Sequence, residues 1–321
     1  MVITGVGAVS ALGIGAEAIW NGIAENRCAI AAPKRFDGSA FPCPFAGEIP
    51  DFAAKDFVPK GYRKAVKVMA RDTEIAVAAA KLAVDDAAFV TRSAEAEPPP
   101  PLSCPSERLA CHIGAGLIGA DAQELGGALV TANRGGAGWD SRAWGTVDPG
   151  DGRPAPMGGM GNLQPLWMLK YLPNMLACHV TIVHGAEGPS NTITCGEASG
   201  LLSIGESARI IERNDADAGF AGSAESKVSL IGLLRICVMG RLRSAAPSDN
   251  PAGLVRPYAP DSAGSVAGEG GGILMLESLD HARTRSAKVY AEVAGFGNAQ
   301  SQAGLLPPFH SSRTDAMNDG L

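Results

Sequence analysis

The sequence predicts an α/β fold built on a mainly parallel sheet, and three observations carry that expectation. Strand-like and helix-like segments alternate along most of the 321 residues, the pattern of strands joined through helices. Residues 190–222 show it most compactly. Residues 190–195 are strand-like, with β-branched Thr192, Ile193 and Thr194; residues 198–212 place Leu201, Ile204, Ala208 and Ile211 at helical spacing; residues 216–222 are strand-like again. The chain also holds 41 glycines and only 5% aromatic residues, which suits helices packed closely on a sheet.

Residues 1–8 read as a buried strand running into a glycine turn at Gly5 and Gly7, and residues 15–25 as a helix with Ile19, Trp20 and Ile23 on one face. Residues 34–60, rich in Phe, Pro and Asp, read as an irregular excursion. Residues 63–90 read as one long helix with Met69, Thr73, Ala76, Ala80, Val84 and Ala87 on its buried face. Pro98 to Pro101 mark a surface loop over residues 93–107, followed by a strand over 109–114. The Gly- and Pro-rich stretch 131–162 predicts a long surface loop with a binding or dimer-contact role. A short helix over 164–172 is stopped by Pro173. Further on come a buried strand (270–277), a helical turn (280–285) and a last strand (288–297), which echoes the opening residues.

Composition narrows the function. The net charge is −6 and no basic block occurs, so nucleic acid is not an expected partner. An acidic surface repels an acidic carrier protein except where Lys and Arg cluster. No apolar run approaches the roughly 18 residues of a membrane span. The seven cysteines are irregularly spaced without a CxxC pair, and no secretory segment precedes them; free thiols in the cytoplasm are expected.

Four sequence features invite a chemical reading. Gly5-Val6-Gly7 follows a strand, but Ser10 stands where a dinucleotide fingerprint has its third glycine, so a structural turn is expected. Gly268 to Gly272 lack the Lys-Ser/Thr of a phosphate loop and run into a strand; a tight turn is expected. Cys195-Gly196-Glu197-Ala198-Ser199-Gly200 lies where a strand ends and a helix begins, a place that stabilises a thiolate or a carboxylate. A Glu in a first helical turn is also ordinary capping chemistry. The histidines His112, His179, His184, His281 and His310 show no metal-ligand spacing. His281 reads as a surface residue and His179 as a satisfied core histidine. No metal or cofactor is expected.

Several segments taken together resemble the β-ketoacyl-[acyl carrier protein] synthase family. They are Val2 to Ser10; Phe36-Asp37 with Ala46 to Phe52; Pro173-Asn174-Met175 with His179-Val180; Gly188-Pro189-Ser190; Ile204-Gly205-Glu206 through Asp217; Ala221 to Glu225; and Arg256-Pro257-Tyr258 with Gly268-Glu269-Gly270. The likeness covers nearly the whole chain, and the order of the segments makes it specific. It implies a thiolase-like fold of αβαβα layers made of two similar halves. Residues 1–285 are expected to be the first half, complete, and residues 286–321 the start of a truncated second half. The resemblance also implies a Cys nucleophile, acylated from an acyl carrier protein thioester, and two histidines in His-Gly-Thr and Gly-His-Asn type motifs.

Counting back from Ile204-Gly205-Glu206, the nucleophile position falls on Glu197. A carboxylate there does not form the transferable thioester. Neither histidine motif occurs in the 321 residues, and His310 matches neither. The nearest functional pattern is the chain-length factor of type II polyketide synthases, which carries Gln in place of the Cys and pairs with a competent synthase. The expected function is thus a family member of fatty acid or polyketide synthesis that does not condense alone. Its expected partners are an acyl carrier protein and, in a dimer, either itself or a complete synthase. Two alternatives stay open: an active 3-oxoacyl synthase using Cys195 after a two-residue shift, and a non-functional fragment of a truncated gene.

Overall fold

The computed structural model describes residues 1–132, 139–145 and 159–299. The strands are β1 (Val2–Ser10), β2 (Gly13–Ile14), β3 (Ala46–Gly47), β4 (Leu109–Gly114), β5 (Ser190–Ile193), β6 (Ala218–Ser226), β7 (Ala267–Glu277) and β8 (Ala291–Glu292). The helices are α1 (Ala16–Ala24), α2 (Arg71–Asp86), α3 (Ala122–Thr131), α4 (Ser141–Trp144), α5 (Met175–His184), α6 (Ser199–Glu212), α7 (Leu230–Val238) and α8 (Leu279–Thr284).

The main sheet has the order β2-β1-β7-β6-β4-β5. β4 pairs in parallel with both β5 and β6, whereas β7 pairs antiparallel with both β6 and β1. Strands β1, β4, β5 and β6 therefore share one direction and β7 runs against them. The expected mainly parallel sheet is a mixed one, because alternation of helix and strand does not dictate how a long connection such as 239–266 returns the chain.

Residues alternate between two faces along each strand. Cys111, Ile113, Phe220, Ile273 and Met275 pack with α2 and α5. Ala110, Ala221 and Leu276 pack with Ile210 and Ile211 of α6 on the other face. The described residues thus make three layers, helix–sheet–helix.

The contact between α2 and β1 explains two of the glycines. A Cβ on Gly5 would lie 2.2 Å from the carbonyl oxygen of Ala83, and one on Gly7 would lie 1.8 Å from that of Ala79. These glycines therefore lie within β1, where they admit the backbone of α2; they do not form the expected turn.

Other expectations need correcting. The long helix over 63–90 is two elements: a 3-10 stretch at Lys60–Val68, then α2. Met69 and Ala70 between them are extended, which sends both into the core and starts α2 at Arg71. The six positions expected on the buried face are all buried. On α1, Trp20 and Ile23 are exposed. The helix expected over 164–172 is a 3-10 turn at Trp167–Tyr171. Of the strand expected over 288–297 only Ala291–Glu292 pairs, with β1. Most of the 131–162 loop lies outside the described residues.

Candidate functional site

β5 ends at Ile193, and the chain turns through Cys195 into a 3-10 turn at Gly196–Ala198 that leads into α6. Gly196 has φ +58°, a left-handed backbone that glycine adopts without strain. The hydroxyl of Ser199 organises the turn: it accepts from the amide of Cys195 at 2.8 Å and donates to the carbonyl of Gly196 at 2.7 Å. Glu197 thus stands one turn ahead of a 14-residue helix, where the dipole favours an anion.

The side chain of Glu197 is 76% exposed, and its Oε1 accepts from Nη1 of Arg241 at 2.6 Å. Its carboxyl is held below the ordinary value by a hydrogen bond to its own backbone amide and then by Arg241; Lys227 adds a weaker pull in the same direction. Glu197 is therefore an ionised carboxylate at neutral pH. Cys195, on the same turn, is an exposed free thiol. Arg241 and Lys227 are remote from Glu197 in the sequence, and nothing in the residue pattern marked them.

The histidines are elsewhere. His179, on α5, lies across the sheet from α6; Tyr62 Oη meets its Nδ1 at 2.8 Å, while its buried Nε2 has no partner among the described residues. It is a core histidine as expected, but only half satisfied. His184 is fully buried against Thr91 and Phe220, and burial lowers its pKa to about 3. His112, on β4, is buried, and burial likewise lowers its pKa. His281 is not the expected surface residue: its Nδ1 lies 2.6 Å from Oε2 of Glu277 and its Nε2 3.0 Å from the carbonyl of Ser103. Among the described residues no histidine bonds to Glu197 or Cys195. His310 lies outside them.

The Gly268 to Gly272 run lies within β7, and its Glu269 is a structural hub the sequence reading missed. The buried carboxylate of Glu269 receives Arg71 in two bonds (Nη2 2.7 Å, Nε 3.0 Å), the amide of Ile49 at 3.0 Å and Oγ of Ser226 at 2.8 Å. Burial pushes this carboxyl up, but Arg71 outweighs it and holds the pKa below the ordinary value.

A mixed sheet between helical layers, with a strand–turn–helix presenting one side chain at a helix start, defines an α/β protein of the thiolase-like class. Solved structures of that class superpose on it. "Crystal structure of a Beta-ketoacyl synthase from Burkholderia phymatum STM815" matches with a TM-score of 0.67 at 22% identity, over 90% of this chain and 61% of the other. "The ishigamide ketosynthase/chain length factor" matches with 0.66 at 24% identity, over 90% and 60%. The family model for the β-ketoacyl synthase N-terminal domain matches residues 1–282. The chain belongs to the β-ketoacyl synthase family. It is 28% identical over 317 residues to the 3-oxoacyl-[acyl-carrier-protein] synthase 2 of Vibrio harveyi, covering 99% of this chain and 67% of the relative. It is 29% identical over 308 residues to that of Staphylococcus aureus (strain COL), covering 96% and 64%. The chain spans about two thirds of the length of these curated relatives. No helix among the described residues is long and apolar enough to cross a membrane.

Proposed function

We propose that this chain is a subunit of fatty acid or polyketide synthesis that does not condense acyl groups alone and works as a chain-length-factor-like partner. On this reading an acyl carrier protein delivers its substrates, residues 1–285 form the first thiolase-like half, and residues 286–321 begin the second. One observation supports it: the side chain at the start of α6, which this reading takes as the position of the family's Cys, is the ionised Glu197 paired with Arg241. A carboxylate there neither forms a transferable thioester nor welcomes a malonyl carboxylate. Among the solved relatives, one is described as a ketosynthase/chain length factor, and another as a type II acyl carrier protein in complex with its ketosynthase. Both descriptions fit the roles assigned here.

The test supplies acyl and malonyl carrier thioesters to Cys195→Ser and to Cys195→Ser/Glu197→Cys, so that position 197 alone is read. Neither chain is expected to release carbon dioxide or 3-oxoacyl product, since the 321 residues hold no His-Gly-Thr or Gly-His-Asn motif and groups that act as a unit are not recovered singly. Glu197→Cys is nonetheless expected to react rapidly with iodoacetamide, because Arg241, Lys227 and the start of α6 favour a thiolate. Condensation by either chain would end the proposal.

A second reading, a synthase using Cys195, is favoured by the exposure of that thiol on the same turn. It predicts product from the chain with Cys195 intact and none from Cys195→Ser.

Association is proposed to run through β5. This strand ends the sheet, and an open edge recruits another strand. Thr192→Pro, which removes an N–H that Asn191 Oδ1 accepts at 2.8 Å in the single chain and that a pairing strand would have to take over, is expected to convert a dimer into a monomer in sedimentation velocity at micromolar concentration. An unchanged dimer would place the interface elsewhere.

A further inference from the structure

After α7 the chain passes through Gly240 in a left-handed backbone (φ +64°) and is extended at residues 241–243. Leu242 forms a parallel bridge with Ser265: the amide of Ser265 donates to the carbonyl of Arg241 at 2.8 Å, and the amide of Arg243 donates to the carbonyl of Ser265 at 2.9 Å. Gly264 admits this approach, since a Cβ there would lie 2.9 Å from the carbonyl oxygen of Arg241 and 3.0 Å from the amide nitrogen of Arg243. Side chains alternate along an extended segment. Leu242 packs with the cluster of Cys43, Phe45 and Leu254, so Arg241 and Arg243 share the opposite side, their Cα atoms about 6.5 Å apart. The two are used unequally. Arg241 gives Nη1 to Glu197 and its side chain is 41% exposed. Arg243 has no hydrogen bond or ion pair among the described residues, and its Nε is buried. A buried donor without a partner is rare in a folded protein and marks the place of a water or an ion.

Charge decides between water and ion. Two guanidinium groups stand on one side of a backbone fixed by Ser265, and Glu197 balances only one of them. Lys227, which also acts on Glu197, is paired with Glu225. A phosphate carrying two negative charges matches both arginines, and its tetrahedral oxygens serve two guanidinium planes at once, which a single carboxylate does less completely. The Glu197 side chain is 76% exposed on its turn, so it can leave Arg241 without disturbing the core. We propose that Arg241 and Arg243 form a binding site for a doubly charged phosphate, inorganic or a monoester, which displaces Glu197 from Arg241. The ligand and the Glu197–Arg241 pair are thus alternatives at one cation, and occupancy releases the carboxylate at the start of α6. The site goes beyond the reading of the chain as a condensing-incompetent subunit and does not depend on it.

The experiment titrates the full chain with inorganic phosphate, phenyl phosphate, dimethyl phosphate and acetate by isothermal calorimetry, in a phosphate-free buffer of low ionic strength. Wild type, Arg243→Gln, Arg241→Gln and Glu197→Gln are compared, with circular dichroism confirming that each is folded. The wild type is expected to bind one inorganic phosphate or one phenyl phosphate per chain. Dimethyl phosphate and acetate, each singly charged, are expected to bind about tenfold or more weakly. Arg243→Gln and Arg241→Gln are each expected to weaken phosphate about tenfold or more, the loss of a charge-assisted contact. Glu197→Gln is expected to tighten it roughly two- to fivefold, because the competing carboxylate is gone and an exposed ion pair holds it only weakly. Tighter binding of phenyl phosphate than of inorganic phosphate identifies an organic monoester as the ligand; equal binding identifies free phosphate. No heat from either would mean that a water alone meets Nε of Arg243, and would overturn the inference. So would phosphate affinity unchanged in Arg243→Gln, or dimethyl phosphate bound as tightly as inorganic phosphate. Unchanged affinity in Glu197→Gln would overturn the displacement of Glu197. None of these outcomes bears on whether the chain condenses acyl groups, which the carrier thioester assay reads separately.

Discussion

Gly7→Val is expected to leave no folded protein at 37 °C, and Gly7→Ala to lower stability by roughly 3 kcal/mol or more. The cause is backbone against backbone. A Cβ at position 7 would lie 1.8 Å from the carbonyl oxygen of Ala79 and 2.5 Å from the amide nitrogen of Ala83. Neither atom can rotate away as a side-chain end can, so all of α2 would have to lift from the sheet. α2 is buried along most of its length, with Ile75, Ala76, Val77, Ala78, Ala79 and Ala80 all inaccessible, and lifting it opens the core on that face. Gly126→Ala is the control. Gly126 lies in α3, and a Cβ there would have nothing within 4 Å. The same substitution at this position is expected to be neutral or to stabilise by up to about 1 kcal/mol. Urea unfolding followed by circular dichroism distinguishes the two. Equal midpoints for Gly7→Ala and wild type would mean that α2 and β1 are not in the contact described.

Glu269→Ala is expected to cost about 3–5 kcal/mol, the range for breaking a buried ion pair by removing one partner. The loss exceeds that of a surface pair because the Glu269 side chain is fully buried and that of Arg71 nearly so. Three further donors, the amide of Ile49, Oγ of Ser226 and Nη1 of Arg35, also converge on the carboxylate. Truncation leaves the Ile49 amide unpaired in the interior and the Arg71 charge with Glu74, at 3.5 Å, in place of the closer Glu269. The effect is pH-dependent with a definite sign. The folded-state pKa of Glu269 lies below its ordinary 4.5, so its contribution is complete above that value and is lost as pH falls through the lower folded one. The gap between wild type and Glu269→Ala should therefore be widest at neutral pH and close in acid. Taking the difference removes two other buried groups. His184, lowered to about 3, weakens the fold as pH falls below 6.5, and Asp72, raised to about 6, strengthens it between 6 and 3.8. A gap that stays constant down to pH 3 would mean that the Glu269 charge is not what stabilises this hub.

The legible parts of the molecule are those where one local pattern suffices. β4 runs over Leu109–Gly114, the expected residues, because a short apolar run bounded by polar loops has few other solutions. The start of α6 is legible from residues 190–212, since β-branched residues, a glycine turn and helical spacing follow one another there. On that helix Ala208 and Ile211 are buried as expected, yet Leu201 is 71% exposed: periodicity picks out an apolar stripe but not how far along it a neighbouring element reaches. The break at Met69–Ala70 is not legible. Both flanking segments read as helical, and the extended pair between them is held by burial of Met69 and Ala70 in the core.

The order of its motifs by itself pointed to the family of this chain, and the string alone gives the carboxylate of Glu197 at the turn before α6. Both are properties of the covalent string. Only the tertiary structure decided what that carboxylate meets. Arg241 comes to it across 44 positions, Arg71 comes to Glu269 across 198, and β7 enters the sheet antiparallel between β1 and β6. Ion pairs and strand neighbours between distant residues are set by how the layers pack, because each local segment is compatible with many partners and the closing of the core selects one.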